Sequence, residues 1–177
     1  LFESDMIGTM ESGCNSEVAW EMSTMQGATV KEGEELEKAL FGAAFNAELD
    51  WRDRYTSIEV VAEDEVNGSA CYEVRLTPSV GDTVTAYVDK KTWLTVKTET
   101  VSNSDMGSIS IVVSLSDYRE IDGVMVPFSM KTLLMGAQEM TTMIDSVAFN
   151  VEIPEKTFDL PAEIQELIAA RERKASE

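Results

Sequence analysis

Asp117-Tyr118-Arg119-Glu120-Ile121-Asp122-Gly123-Val124-Met125-Val126-Pro127-Phe128-Ser129-Met130 reads as strand, tight turn, strand. Asp122-Gly123 can supply the two positive-φ positions that a two-residue hairpin demands. Beyond the turn, Val124, Val126, Phe128 and Met130 alternate with period two, as in a strand with one face against apolar material. Gly136-Ala137 separates this strand from another over 139–149, and Asn150-Val151-Glu152-Ile153-Pro154 and Phe158-Asp159-Leu160-Pro161 follow as turns and extended chain.

The same grammar runs upstream. A strand over 57–66 meets Asn67-Gly68, the strongest short hairpin signal, and returns over 70–77. There Ala70, Tyr72, Val74 and Leu76 share one face, while Cys71, Glu73 and Arg75 share the other. Pro78 and Gly81 break the strand. Residues 83–88 pair with 93–101 across Asp89-Lys90-Lys91-Thr92, and 108–118 leads back to the opening segment. Connections this short make an antiparallel meander.

Residues 1–33 read as irregular strands. A helix is expected over 34–46, where Leu36, Leu40, Ala43, Ala44 and Ala47 form a stripe that Phe41 and Phe45 widen. Residues 162–174 read as a short amphipathic helix with Ile164, Leu167 and Ile168 inward. The expected organisation is one domain over 1–161 followed by a helix and tail over 162–177. The fold class is mainly β (α+β): a curved antiparallel meander, an unclosed β-barrel with a helical lid and a short C-terminal helix.

Length and composition bound the function. A chain of 177 residues, 44% apolar and 27% charged, can bury a core without staples. Its 33 acidic and 14 basic residues leave a net charge of −19. That charge repels phosphate backbones and anionic membranes, so nucleic acid is excluded as a partner. It reads as a solvated surface, with a docking face for a basic partner as the alternative. No run of 18 apolar residues is present, so the chain is not expected to be transmembrane. Leu1 is not an initiator methionine, which reads as a mature or truncated form with any signal peptide removed. Glu11 stands where a lipobox needs an apolar residue, so Cys14 is not read as lipidated. Cys14 and Cys71 permit one disulfide, but two separate thiols fit their settings better.

Chemistry is sparse. The chain has no histidine, which removes Ser-His and Cys-His pairs and most zinc sites. No phosphate-cradling glycine loop or nucleophile elbow occurs. Carboxylate runs such as Glu63-Asp64-Glu65 read as solvated edges, the rival being an acid pair in a hydrolase cleft. No catalytic residue, cofactor or metal is assigned.

The last two long strands are apolar on both faces: Met125, Leu133 and Met135 oppose Val124, Val126, Phe128, Met130 and Leu134. Such a sheet needs covering twice, by a helix and by a ligand, a second sheet or a partner. Ten methionines suit an adaptable apolar site, or simply fill gaps in a core.

The order and spacing of these motifs resemble the LolA-like, outer-membrane lipoprotein-sorting family. The likeness rests on Asn67-Gly68, Cys71-Tyr72-Glu73-Val74, Leu76-Thr77-Pro78, Tyr87-Val88-Asp89 and Trp93-Leu94, then Asp117-Tyr118-Arg119, Asp122-Gly123, Val126-Pro127-Phe128 and the 150–161 ending. It extends over about residues 13–161, with Ala19-Trp20 similar to a strand before the family's cavity helices. The resemblance implies a periplasmic, non-enzymatic carrier whose apolar cavity holds lipid or lipoprotein acyl chains between curved sheet and helix. Leu36, Leu40, Phe41 and Phe45 would line the helix side, and Tyr72, Val74, Val126, Phe128, Met130, Met140 and Ile144 the sheet side. The family's long N-terminal helix and first strands have no counterpart here. The chain is therefore expected to be a fragment, or to receive strands from another copy or partner at an open edge near residues 5–22. The alternative function is a LolA-like scaffold docking a partner in a cell-envelope complex.

Overall fold

The computed structural model describes residues 2–4, 8–44, 47, 49–104 and 107–175. They form two compact units, one made of residues 1–47 and 152–177, the other of residues 48–151.

The first unit holds four antiparallel strands, β1 (Phe2–Ser4), β2 (Gly8–Cys14), β3 (Ala19–Ser23) and β4 (Gly27–Val30), paired in sequence order. Asn15 sets the β2–β3 turn: its Oδ1 accepts hydrogen bonds from the backbone N–H of Glu17 at 2.9 Å and Val18 at 2.8 Å. Gly13 lies opposite Trp20, and a Cβ at Gly13 would meet the indole at 2.7 Å. Only glycine lets that ring lie flat on the strand, where Trp20 is buried. Helix α1 (Gly33–Ala43) then packs on β2 and β3, its first turn carrying Glu34 and Glu35 at the positive helix end. It is shorter than the stripe suggested, because the chain turns extended at Ala44. Phe45 and Asn46, expected at its end, lie outside the described residues.

The second unit starts with a single turn, α2 (Trp51–Arg54). Seven strands follow: β5 (Tyr55–Val66), β6 (Ser69–Pro78), β7 (Val84–Asp89), β8 (Thr95–Ser104), β9 (Gly107–Ile121), β10 (Val124–Leu134) and β11 (Gln138–Met143). Each pairs antiparallel with its sequence neighbours, giving a curved meander that does not close on itself. Asn67-Gly68 (φ 52° and 83°) and Asp122-Gly123 (φ 49° and 83°) take the left-handed backbone their hairpins require. The β10–β11 turn falls one residue earlier than expected, on Met135-Gly136 (φ 49° and 67°). β11 is also shorter than its alternation suggests. Ile144 N–H still donates to the Phe128 carbonyl at 2.9 Å, but 144–149 form no regular structure. Alternation is a property of side chains and does not guarantee a ladder partner.

The chain then returns to the first unit, where α3 (Ala162–Ala175) packs on β4 and buries Ile164 completely. Arg171 of α3 pairs with Glu32 at the start of α1. Cys14 and Cys71 are both free thiols.

Candidate functional site

Register sorts the side chains of the seven-stranded sheet into two faces, because paired residues point the same way. One row crosses all seven strands as Val60, Val74, Ala86, Thr98, Val113, Thr132 and Met140. Its neighbour on the same face is Ile58, Leu76, Val84, Thr100, Ile111, Leu134 and Gln138. Both rows are apolar but for three threonines and a glutamine. The intervening row, on the other face, is Glu59, Arg75, Thr85, Glu99, Val112, Leu133 and Glu139. The sheet therefore has an apolar and a polar side.

Tyr72, Val74, Val126, Phe128, Met130 and Met140 all share the apolar face by strand alternation. Ile144, just past β11, is half-buried beside Phe128 through its backbone bond. Phe128 is 2% exposed, whereas Val60 is 65% and Met140 48% exposed, so this face runs from buried centre to open edges. Asp117 and Arg119 cover Phe128. The guanidinium donates to both Asp117 carboxylate oxygens, at 3.1 and 2.6 Å, and stands 4.2 Å above the Phe128 ring. That bond holds the Asp117 carboxyl below its usual range and the guanidinium above its own.

Leu36, Leu40 and Phe41 are half-buried on α1. Within its own unit Leu40 lines, with Cys14, Asn15, Ser16 and Ala43, a cavity of about 370 Å³.

The polar face carries a buried cluster and several paired groups. Val66, Cys71 and Tyr87 form a small buried cluster with Val96 against it. Tyr87 O–H donates to Glu99 Oε2 at 3.3 Å, Lys97 Nζ donates to Glu99 Oε1 at 2.8 Å, and the same ammonium lies 3.7 Å over the Tyr87 ring. Burial, then the Glu99 charge, pushes the Tyr87 phenol up. For Lys97 burial acts downward and is the largest single effect, but the bond to Glu99, its charge and the Tyr87 contacts together outweigh it and raise the ammonium. Thr85, Glu99, Val101, Asn103, Ser110 and Val112 line a cavity of about 720 Å³ on this face, which sequence reasoning did not anticipate. Its lining is polar enough to stay hydrated and offers no continuous apolar wall.

Asp89 organises the β7–β8 turn, which the sequence places across Asp89-Lys90-Lys91-Thr92, but its side chain's part in that turn was missed. Its Oδ1 accepts from the backbone N–H of Lys91 and Thr92, both at 2.8 Å, and from the Thr92 hydroxyl at 3.1 Å. Those backbone donors, Thr92 first, hold its carboxyl below the usual range. Aspartate followed three residues later by threonine is the signal that could have revealed the side chain's part. Among the described residues no group of three His, Cys, Asp or Glu side chains is placed to hold a metal. No described helix is long and apolar enough to cross a membrane.

A protein-family model described as an uncharacterized protein matches residues 30–162. The chain belongs to that family. Its fold is LolA-like: an outer membrane lipoprotein-sorting protein domain from Vibrio parahaemolyticus superimposes with a TM-score of 0.55 at 12% identity, over 85% of this chain and 68% of that one. A LolA superfamily protein from Nitrosomonas europaea gives 0.51 at 14% identity, over 89% and 73%. No curated protein matches the sequence. At such identities the likeness concerns backbone architecture.

Proposed function

We propose that this protein is a periplasmic, non-enzymatic binder or carrier of lipid or lipoprotein acyl chains, held against the apolar face of the seven-stranded sheet. The observation that carries the reading is the pair of apolar rows crossing every strand, with the lipoprotein-sorting name of one structural neighbour in support. Tyr72, Val74, Val126, Phe128, Met130, Met140 and Ile144 would form the sheet side of the site. Leu36, Leu40, Phe41 and Phe45 are proposed as lid residues. Each methylene removed from water contributes about 0.8 kcal/mol, so a long acyl chain is held without a catalytic group.

Titration with a fluorescent fatty acid tests this. Uptake is expected to be saturable and lost in Val74→Asp, which places a carboxylate mid-row, while Glu99→Gln on the polar face keeps it. No uptake by the unaltered protein, with no lipid co-purifying, overturns the reading. β11 favours a second one, a scaffold docking an envelope partner: all its residues are exposed on an edge strand. A stable hetero-complex in sedimentation, without lipid uptake, would select it.

A further inference from the structure

We propose that one end of the seven-stranded sheet, with Trp93 at its apex, docks onto an uncharged, zwitterionic lipid surface. Three hairpin tips lie side by side at this end, because a meander returns every second turn to the same side: residues 67–68, 90–94 and 122–123. Two of them, at 90–94 and beside 122–123, present exposed apolar side chains that packing does not require. Trp93 is 68% exposed, Val124 51% and Met125 42%.

Trp93 is also held where the backbone resists it. Its φ is 61°, a left-handed conformation uncommon for a bulky residue. The turn that imposes this is rigid: besides the Asp89 side-chain bonds, Trp93 N–H donates to the Asp89 carbonyl and Asp89 N–H to the Leu94 carbonyl, both at 2.9 Å. The indole leans over the apolar face, stacked on Tyr72 at 5.8 Å between ring centres and 24° between planes. Lys90 Nζ lies 4.6 Å over the same Tyr72 ring and pairs with Glu63 at 2.6 Å. An exposed tryptophan beside a lysine with an apolar stem is the pairing that settles at a lipid–water boundary, the ring among headgroups and the ammonium in water.

Charge selects the surface. A net charge of −19 repels anionic bilayers. At this end Lys90 pairs with Glu63, and Lys91, Glu65 and Asp122 fall in or next to the same three turns, a mixed pattern suited to phosphocholine-type headgroups, which carry both signs. The inference rests on the lipid-binding reading and adds to it a place of exchange, since Tyr72, next to Val74 on the apolar face of β6, lies between that row and this end.

The test is flotation with phosphatidylcholine vesicles, together with tryptophan emission. The intact protein is expected to co-float, with emission shifted to the blue. Trp93→Ala should weaken association about tenfold or more, the loss of one buried indole. Trp93→Gly, which suits the left-handed φ, should do the same and guards against misfolding, while Trp51→Phe should not. Fatty-acid uptake is read in parallel: its absence in the intact protein sinks the carrier reading, whatever flotation shows. The docking proposal is overturned if the intact protein does not float, or if Trp93→Ala and Trp93→Gly float as well as it does.

Discussion

The two faces of the seven-stranded sheet are built from the same alternating strands, yet they solve opposite problems. On the polar face two lysines already have partners: Lys97 is taken by Glu99, and Lys131 by Glu139 at 2.8 Å. On the other face, β5 and β11 leave Val60 and Met140 exposed. A surface whose polar groups are satisfied gains little from a ligand, whereas exposed apolar area gains by being covered. On the proposed reading, binding falls to the apolar side and structure to the other.

Phe128→Ala should break this contrast most strongly. Phe128 is the buried centre of the apolar face, so its removal should cost about 3–5 kcal/mol in chemical denaturation. A loss under about 1 kcal/mol would mean that this face has no packed centre. Asp89→Asn acts on the polar side, and its effect should depend on pH. The folded carboxyl sits below its ordinary 3.8, so its stabilisation is present above that value and fades as pH falls through the folded pKa. The variant should be the less stable near neutral pH, and the gap should close under acid in parallel thermal melts. A gap independent of pH would contradict the assigned backbone donors. Val60→Thr should have the smallest effect on folding, within about 0.5 kcal/mol, because the side chain is already in water. It should nonetheless weaken acyl-chain uptake, separating binding from stability at one position. Unchanged uptake would confine the site to the sheet centre.

Much of this was legible in the chain. Asn67-Gly68 and Asp122-Gly123 announce their turns because few other pairs accept two left-handed residues. Alternation in 70–77 and 124–130 fixes which side chains share a face, and it places Tyr72, Val74, Val126, Phe128 and Met130 together. The end of β11 was not legible, since Val147 and Phe149 continue the pattern after the ladder stops. The Met135-Gly136 turn was misplaced by one residue, because nothing local marks methionine for a left-handed φ. Only the Asp89 turn, fixed by bonds between residues near in sequence, reveals why Trp93 stands outward. The grouping into two units lay beyond reach, because it depends on α3 meeting β4, a contact between distant segments.

That last contact gives the chain an order of assembly. Pairings within 48–151 join consecutive strands, whereas closing the first unit joins Glu32 to Arg171, 139 positions apart. Ring closure over such a span grows costlier only with the logarithm of its length, so extra residues at the hairpin tips tax the host unit little. The meander is in effect a long parenthesis, and its contents can be rewritten without disturbing the sentence that encloses it.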